Sequence, residues 1–163
     1  MSNGQRLRYM DLAREGMGAL SGVEHVLNTA SCLSAVLLEL VRLRASLMNG
    51  CDYCVGLHTS ELRKHHEPTG RIDGVGRWRE SEAYTQRERA ALRWAEVITD
   101  IQDGHASDEE FAAVQEHFSD VEVVQLTLAI ASINAWNRMA IAFRPKWRER
   151  VTDDDGGKVE VEE

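Results

Sequence analysis

Residues 34–58 read SAVLLELVRLRASLMNGCDYCVGLH, and most of the fold follows from this stretch. Ser34 is a good helix N-cap residue. Val36, Leu37, Leu40, Val41, Leu43 and Leu47 then recur at helical spacing, which predicts a helix to Met48. Asn49-Gly50 ends it, because both residues tolerate a left-handed stop. A second helix is predicted from Cys51, or just after it, to about His66, closed by Pro68-Thr69-Gly70. The short stop folds this second helix back against the first.

Working outward, the same period dominates. A first amphipathic segment spans Tyr9 to Ala30, with Gly16, Gly18 and Gly22 predicting a break in its middle. Arg71 to Arg79 can form a short helix, opposed by Gly74 and Gly76. Three capping boxes then mark helix starts. Thr85 with Glu88 opens a helix to about Ile101, Ser107 with Glu110 one to about Phe118, and Ser119 with Glu122 one to about Phe143. No segment alternates with period two between turn signals. The class is all-α, with about six to seven helices and a Cys-x-x-Cys pair at a helix N-terminus.

The 163 residues fit one domain, read as 1–151, followed by an acidic tail at 152–163 that carries −5 of the net charge of −8. The tail is expected to be disordered. The remaining −3 is mild and no basic stripe appears, which argues against a nucleic-acid partner. The longest apolar stretch, Val121 to Phe143, is interrupted by Glu122, Gln125, Asn134, Asn137 and Arg138. It reads as a deeply buried helix of an oligomer and not as a membrane span. Asn134, Asn137 and Arg138 must then find partners, at an oligomer interface or across a helix pair. Three cysteines, an odd number, do not suggest a secreted disulfide framework, and residues 1–8 lack an apolar signal core. The expected compartment is the cytoplasm, where a close cysteine pair points to catalysis or metal.

The chemistry-bearing motif is Cys51-Asp-Tyr-Cys54-Val-Gly-Leu-His58. Two cysteines three positions apart at a helix start can close a disulfide with little backbone movement. The helix N-terminus favours a thiolate. His58 lies four residues after Cys54 on the same face, so it can hydrogen-bond that sulfur or exchange a proton with it. A thiolate attacks a peroxide oxygen to give a sulfenic acid, which a neighbouring cysteine converts to a disulfide. The histidine spacing favours Cys54 as the attacking sulfur and Cys51 as the resolving one, whereas the helix dipole alone favours Cys51. Glu39 sits among Val36, Leu40 and Leu43, where burial would raise its pKa and suit it to proton transfer. Arg42, three residues on, can instead simply pair with it.

Glu39, eleven intervening residues, then Cys51-x-x-Cys54-x-x-x-His58 resembles the alkylhydroperoxidase D-like (AhpD-like) branch of the carboxymuconolactone decarboxylase family. Residues 39–46 and 49–55, and later 85–92 and 133–138, look like the family as well, so the resemblance spans roughly 9–145. It implies an all-helical fold and a thiol-dependent peroxidase of the alkylhydroperoxidase kind. It also implies homo-oligomers such as trimers or hexamers, and a glutamate–histidine–water proton relay in which the second cysteine attacks. By that resemblance the site is Cys54, Cys51, His58 and Glu39. The substrate would be a hydroperoxide, recharged by a thiol or lipoyl-type reductant, with no bound cofactor or metal. The best-known pattern of the branch has a histidine just before the second cysteine, where this chain has Tyr53.

Other readings of the same residues are a general disulfide oxidoreductase or redox sensor, and a decarboxylase-like enzyme. A zinc half-site completed by Glu39, His65 or another subunit is a further one. Cys32, just before an apolar helix, is expected in the core.

Overall fold

A computed structural model describes residues 4–147. The tail at 152–163, and the last residues of the 1–151 unit, lie outside the described residues. Among the described residues the secondary structure is entirely helical. It comprises α1 (Tyr9–Leu12), α2 (Arg14–Ala30), α3 (Ala35–Asn49), α4 (Asp52–Lys64), α5 (Thr69–Gly74), α6 (Gln86–Thr99), α7 (Asp108–Gln115) and α8 (Asp120–Phe143). A 3-10 segment, Val75–Glu80, continues from α5. Eight α-helices exceed the expected six to seven because one-turn α1 stands apart and the 71–79 region folds as α5 plus the 3-10 segment.

The first segment does break, but at Ala13 (φ −124°, ψ 46°), and not at the glycines, which lie inside a continuous α2. A Cβ at Gly16, Gly18 or Gly22 would meet nothing within 4 Å, so no close packing requires glycine there. Each glycine weakens the helix by about 1 kcal/mol. That cost is local, and burial of Met17 and Leu27 outweighs it.

α3 is the centre of the molecule and lies against α4, α6 and α8. Ser34 caps it by accepting the Leu37 N–H at 3.2 Å, and Gly50 ends it with φ 65°. One apolar core joins α2, α3, α6, α7 and α8 through Leu27, Leu38, Trp94, Val114, Leu126 and Ile130. A second joins α3 to α4, α5, the 3-10 segment and α6 through Leu40, Leu43, Leu62 and Trp78. Having cores on both sides explains why α3 is buried nearly all round.

The capping boxes at Thr85 and Ser119 are complete and reciprocal. Ser107 accepts from the Glu110 N–H, but the Glu110 carboxylate does not return the bond. It is taken instead by the Arg93 guanidinium, at 2.6 and 2.7 Å. A charged fork outcompetes a single backbone N–H. The turn from α7 to α8 is tight, as expected. No helix among the described residues is long and apolar enough to cross a membrane.

The polar residues of α8 bridge helices. Asn49 Nδ2 donates to Asn134 Oδ1 (2.9 Å) and Asn137 Oδ1 (2.8 Å), and Asn137 Nδ2 donates to Ser46 Oγ (3.0 Å). α8 is thereby pinned to the last turn of α3, directly before the Gly50 stop that aims α4. For Asn134 and Asn137 the helix bridge is thus realised within one chain, whereas Arg138 Nη1 donates to Asn134 O and Oδ1 one turn earlier in α8 itself.

Candidate active site

The turn at Asn49–Gly50 delivers Cys51 to the N-cap of α4, and Cys54 to its first turn. Cys51 Sγ accepts the Cys54 N–H at 3.4 Å, so the sulfur serves as the cap. The two sulfur atoms are 2.6 Å apart. Both cysteines are buried, Cys51 at 2% and Cys54 at 3% exposure. They pack in a small cluster with Ala45, Ile133 and Ala140.

A cleft of about 650 Å³ opens beside them, walled by α1, α2, α3, α4 and α8. Cys54 and His58 line it, and Cys51 does not. Tyr9, Tyr53, Leu57, Ile133 and Trp136 make its wall largely aromatic and apolar, while Glu39 and Arg42 form a charged floor.

His58 does share the face of Cys54, but the expected hydrogen bond to the sulfur is not formed. Its Nδ1 lies 2.7 Å from Glu39 Oε2, and its Nε2 is buried without a hydrogen-bond partner among the described residues. Glu39 uses its other oxygen, Oε1, to accept from Arg42 Nη1 at 2.6 Å. The two readings of Glu39, partner of the histidine or partner of Arg42, are therefore both realised.

The sequence reading had burial raising the Glu39 pKa, and the structure reverses this. Burial does push the carboxyl up. The hydrogen bond and charge of His58, together with Arg42, outweigh it and hold the group below its ordinary value. Glu39 is thus an ionised acceptor that fixes the imidazole, and not a protonated acid.

The sulfurs are electrostatically unequal. The interaction with Cys54 lowers the Cys51 thiol to about 7 against the opposing effect of burial, helped by the Cys54 backbone N–H. The same interaction, followed by burial, pushes Cys54 strongly up. Physically, the pair gives up one proton easily and holds the second tightly, since two thiolates cannot share so small a space. The Asn137 amide lowers both thiols. Its role beside them was not read from the sequence, although a polar residue in an apolar helix was the available signal. Glu24, Asn28 and Ser132, which continue the polar network behind Arg42, gave no such signal.

Tyr53, at the position of the missing histidine, meets the Trp147 ring edge-on at 5.7 Å between centroids. Trp147 lies over Gly56, where a Cβ would come within 2.3 Å of the indole. Cys32 is not in the core but exposed, with its backbone N–H and its thiol both 2.9 Å from Gln125 Oε1. Among the described residues no three His, Cys, Asp or Glu side chains group to hold a metal ion.

The model of the carboxymuconolactone decarboxylase family matches residues 15–97, half of the chain. The chain belongs to this family. Within it, the likeness is to the AhpD-like branch. ATU0492 of Agrobacterium tumefaciens is a protein of unknown function for which an antioxidant-defence role of the AhpD kind has been suggested. It superposes with a TM-score of 0.85 at 36% identity, covering 89% of this chain and 99% of that one. The uncharacterized protein YdfG of Bacillus subtilis is 38% identical over 139 residues, 85% of this chain and 94% of the relative. The debrominase Bmp8 shares the fold, with a TM-score of 0.76 at 19% identity over 85% of this chain and 74% of that one.

Proposed function

We propose that this AhpD-like protein is a thiol-dependent peroxidase that reduces hydroperoxides through a Cys51–Cys54 dithiol–disulfide cycle. The observation that supports the reading is the juxtaposition of two sulfurs 2.6 Å apart, of which Cys54 shares a cleft with His58, whose buried Nε2 has no partner among the described residues. Cys54 is the attacking sulfur because it lines the cleft and Cys51 does not. The resting thiolate is on Cys51 and the shared proton on Cys54, so the attack begins with a proton shift. Cys51 is the internal base: transfer of the shared proton from Cys54 to Cys51 leaves the Cys54 thiolate facing the substrate.

The Cys54 thiolate attacks the terminal oxygen of the hydroperoxide. The S–O bond forms, the O–O bond breaks, and the alkoxide leaves, taking a proton from His58 Nε2 to become the alcohol. His58 then takes back from solvent, through the cleft, the proton that the dithiol released when Cys51 ionised, while Glu39 holds the ring through Nδ1. Cys51 then attacks the Cys54 sulfenic acid, and its proton departs with the hydroxide as water. The dithiol loses two electrons and the peroxide gains two. A thiol or lipoyl-type reductant entering the same cleft restores the dithiol.

Burial of both sulfurs favours this reading over general disulfide exchange, since a protein disulfide cannot reach thiols 2–3% exposed, whereas a small molecule fits a 650 Å³ cleft. The active form is taken to be a cytoplasmic homo-oligomer, a trimer or hexamer, as the resemblance implies.

The two single-serine variants test the roles. Cys54→Ser is expected to abolish peroxide consumption. Cys51→Ser is expected to stall after one slow turnover, with a sulfenic acid on Cys54 that dimedone traps. Steady turnover by either variant contradicts the mechanism.

A further inference from the structure

Arg42 is 2% exposed, on a helix that apolar cores embrace from both sides. A guanidinium at that depth loses its hydration, and a well-packed apolar side chain would serve stability as well or better. Its bonds explain its presence. Nη1 donates to Glu39 Oε1 (2.6 Å) and to Asn28 Oδ1 (3.0 Å), and Nη2 donates to Glu24 Oε2 (2.6 Å). Glu24 Oε1 in turn accepts from Ser132 Oγ. A continuous chain, buried at Ser132, Arg42, Glu39 and His58 and half-buried at Glu24, thus runs from α8 through α2 and α3 to His58 on α4.

We propose that Arg42 and Glu24 are positioning residues of the thiol site: they clamp one oxygen of Glu39 so that the other keeps His58 turned with Nε2 toward the cleft. The role rests on the peroxidase reading only for its activity readout. Two carboxylates and one guanidinium sum to −1, and one proton on His58 neutralises the set. The clamp therefore lets His58 take up and release a proton without leaving Glu39 uncompensated in either state. A single ion pair of Arg42 with Glu39 would cancel the carboxylate, and Glu24 restores the balance. The titratable groups that line the cleft with Glu39 are Glu24 from α2, Tyr9 from α1, Tyr53, Cys54, His58 and Glu61 from α4, and His65 just after α4; α8 adds no charged side chain there. Of these, His58 acts on Glu39 most directly, followed by Arg42 on its own helix.

The test follows the Glu39 carboxyl by carbon-13 NMR against pH without peroxide, and in parallel the acid limb of peroxide consumption. R42M is expected to move the Glu39 midpoint up by about one pH unit or more, because the nearest permanent cation is gone. The acid limb should move with it, and kcat should fall about tenfold with KM little changed. R42K keeps the charge but lacks the wide planar fork that spans Glu39, Asn28 and Glu24. It should return the midpoint to near its original place and leave kcat reduced. E24Q removes a like charge and should move the midpoint down, opposite to R42M. A residue that only supports the fold gives no such sign pattern. An unmoved Glu39 midpoint in R42M or in E24Q overturns the proposal, whatever peroxide is consumed. Should R42M not fold, R42K and E24Q decide it by the same signals. The expected midpoints in a protein that consumes no peroxide would support the clamp and refute the peroxidase reading alone.

Discussion

At the scale of single residues the site is a division of labour set by position. Cys51 caps a helix and carries the readily formed thiolate, while Cys54 faces the cleft and holds the shared proton. The consequence is a pH dependence with a definite sign. The Cys51 thiol is depressed from an ordinary 9.0 to about 7 in the folded protein. Its ionisation therefore contributes stability that is fully present above the unfolded value and is lost as pH falls through the folded value. Reduced protein should gain in melting temperature between about pH 7 and pH 9. The disulfide form, which has no thiol to ionise there, should not. In a Cys32→Ser background, which removes the third thiol, thiolate absorbance should rise with a midpoint of about 7 and an amplitude of one thiolate for the pair. A two-thiolate amplitude over that range would contradict the sharing of one proton.

At the scale of elements, the site depends on where α3 stops and how α8 holds it. Gly50 adopts φ 65°, so Gly50→Ala places a Cβ in the left-handed region and should cost about 1 kcal/mol of stability. Asn137→Ala removes the bonds to Asn49 and Ser46 and leaves buried partners unmet, which should cost about 1–3 kcal/mol. It should also raise the apparent thiol midpoint, since the amide lowers both sulfurs. Chemical denaturation and thiolate absorbance check both. These elements were legible to different degrees. The Ser34 cap, the Asn49–Gly50 stop and the Thr85 and Ser119 boxes were readable because the determining interactions are local in sequence. The break at Ala13 was not, because propensity pointed to the glycines and tertiary burial of α2 overrode it. The missing half of the Ser107 box was hidden for the same reason: Arg93, seventeen positions from Glu110, decides it.

At the scale of the whole molecule, the four site residues named from the sequence meet on one cleft or beside it. The motif spacing and its family resemblance made that readable. Glu24, Asn28 and Ser132 were not, because their contribution depends on the packing of α2 and α8 over α3, which no local pattern encodes. Glu39 changed from expected acid to ionised anchor because His58, from another helix, and Arg42 converge on it and lower its pKa. α8 also exposes Val121, Val124 and Leu128 at helical spacing, which fits the oligomer that the resemblance implies. Sedimentation should give a trimer or hexamer, and Val124→Glu should lower that mass. A monomer at micromolar concentration would contradict the assembly.

The most direct test of the dithiol cycle is a count of free thiols in denatured protein before and after one equivalent of an organic hydroperoxide. Three cysteines are present, and Cys32 lies apart from the pair. The count should fall from three to one per chain and return to three with a dithiol reductant. A count that stays at three, with the peroxide unconsumed, would contradict the account.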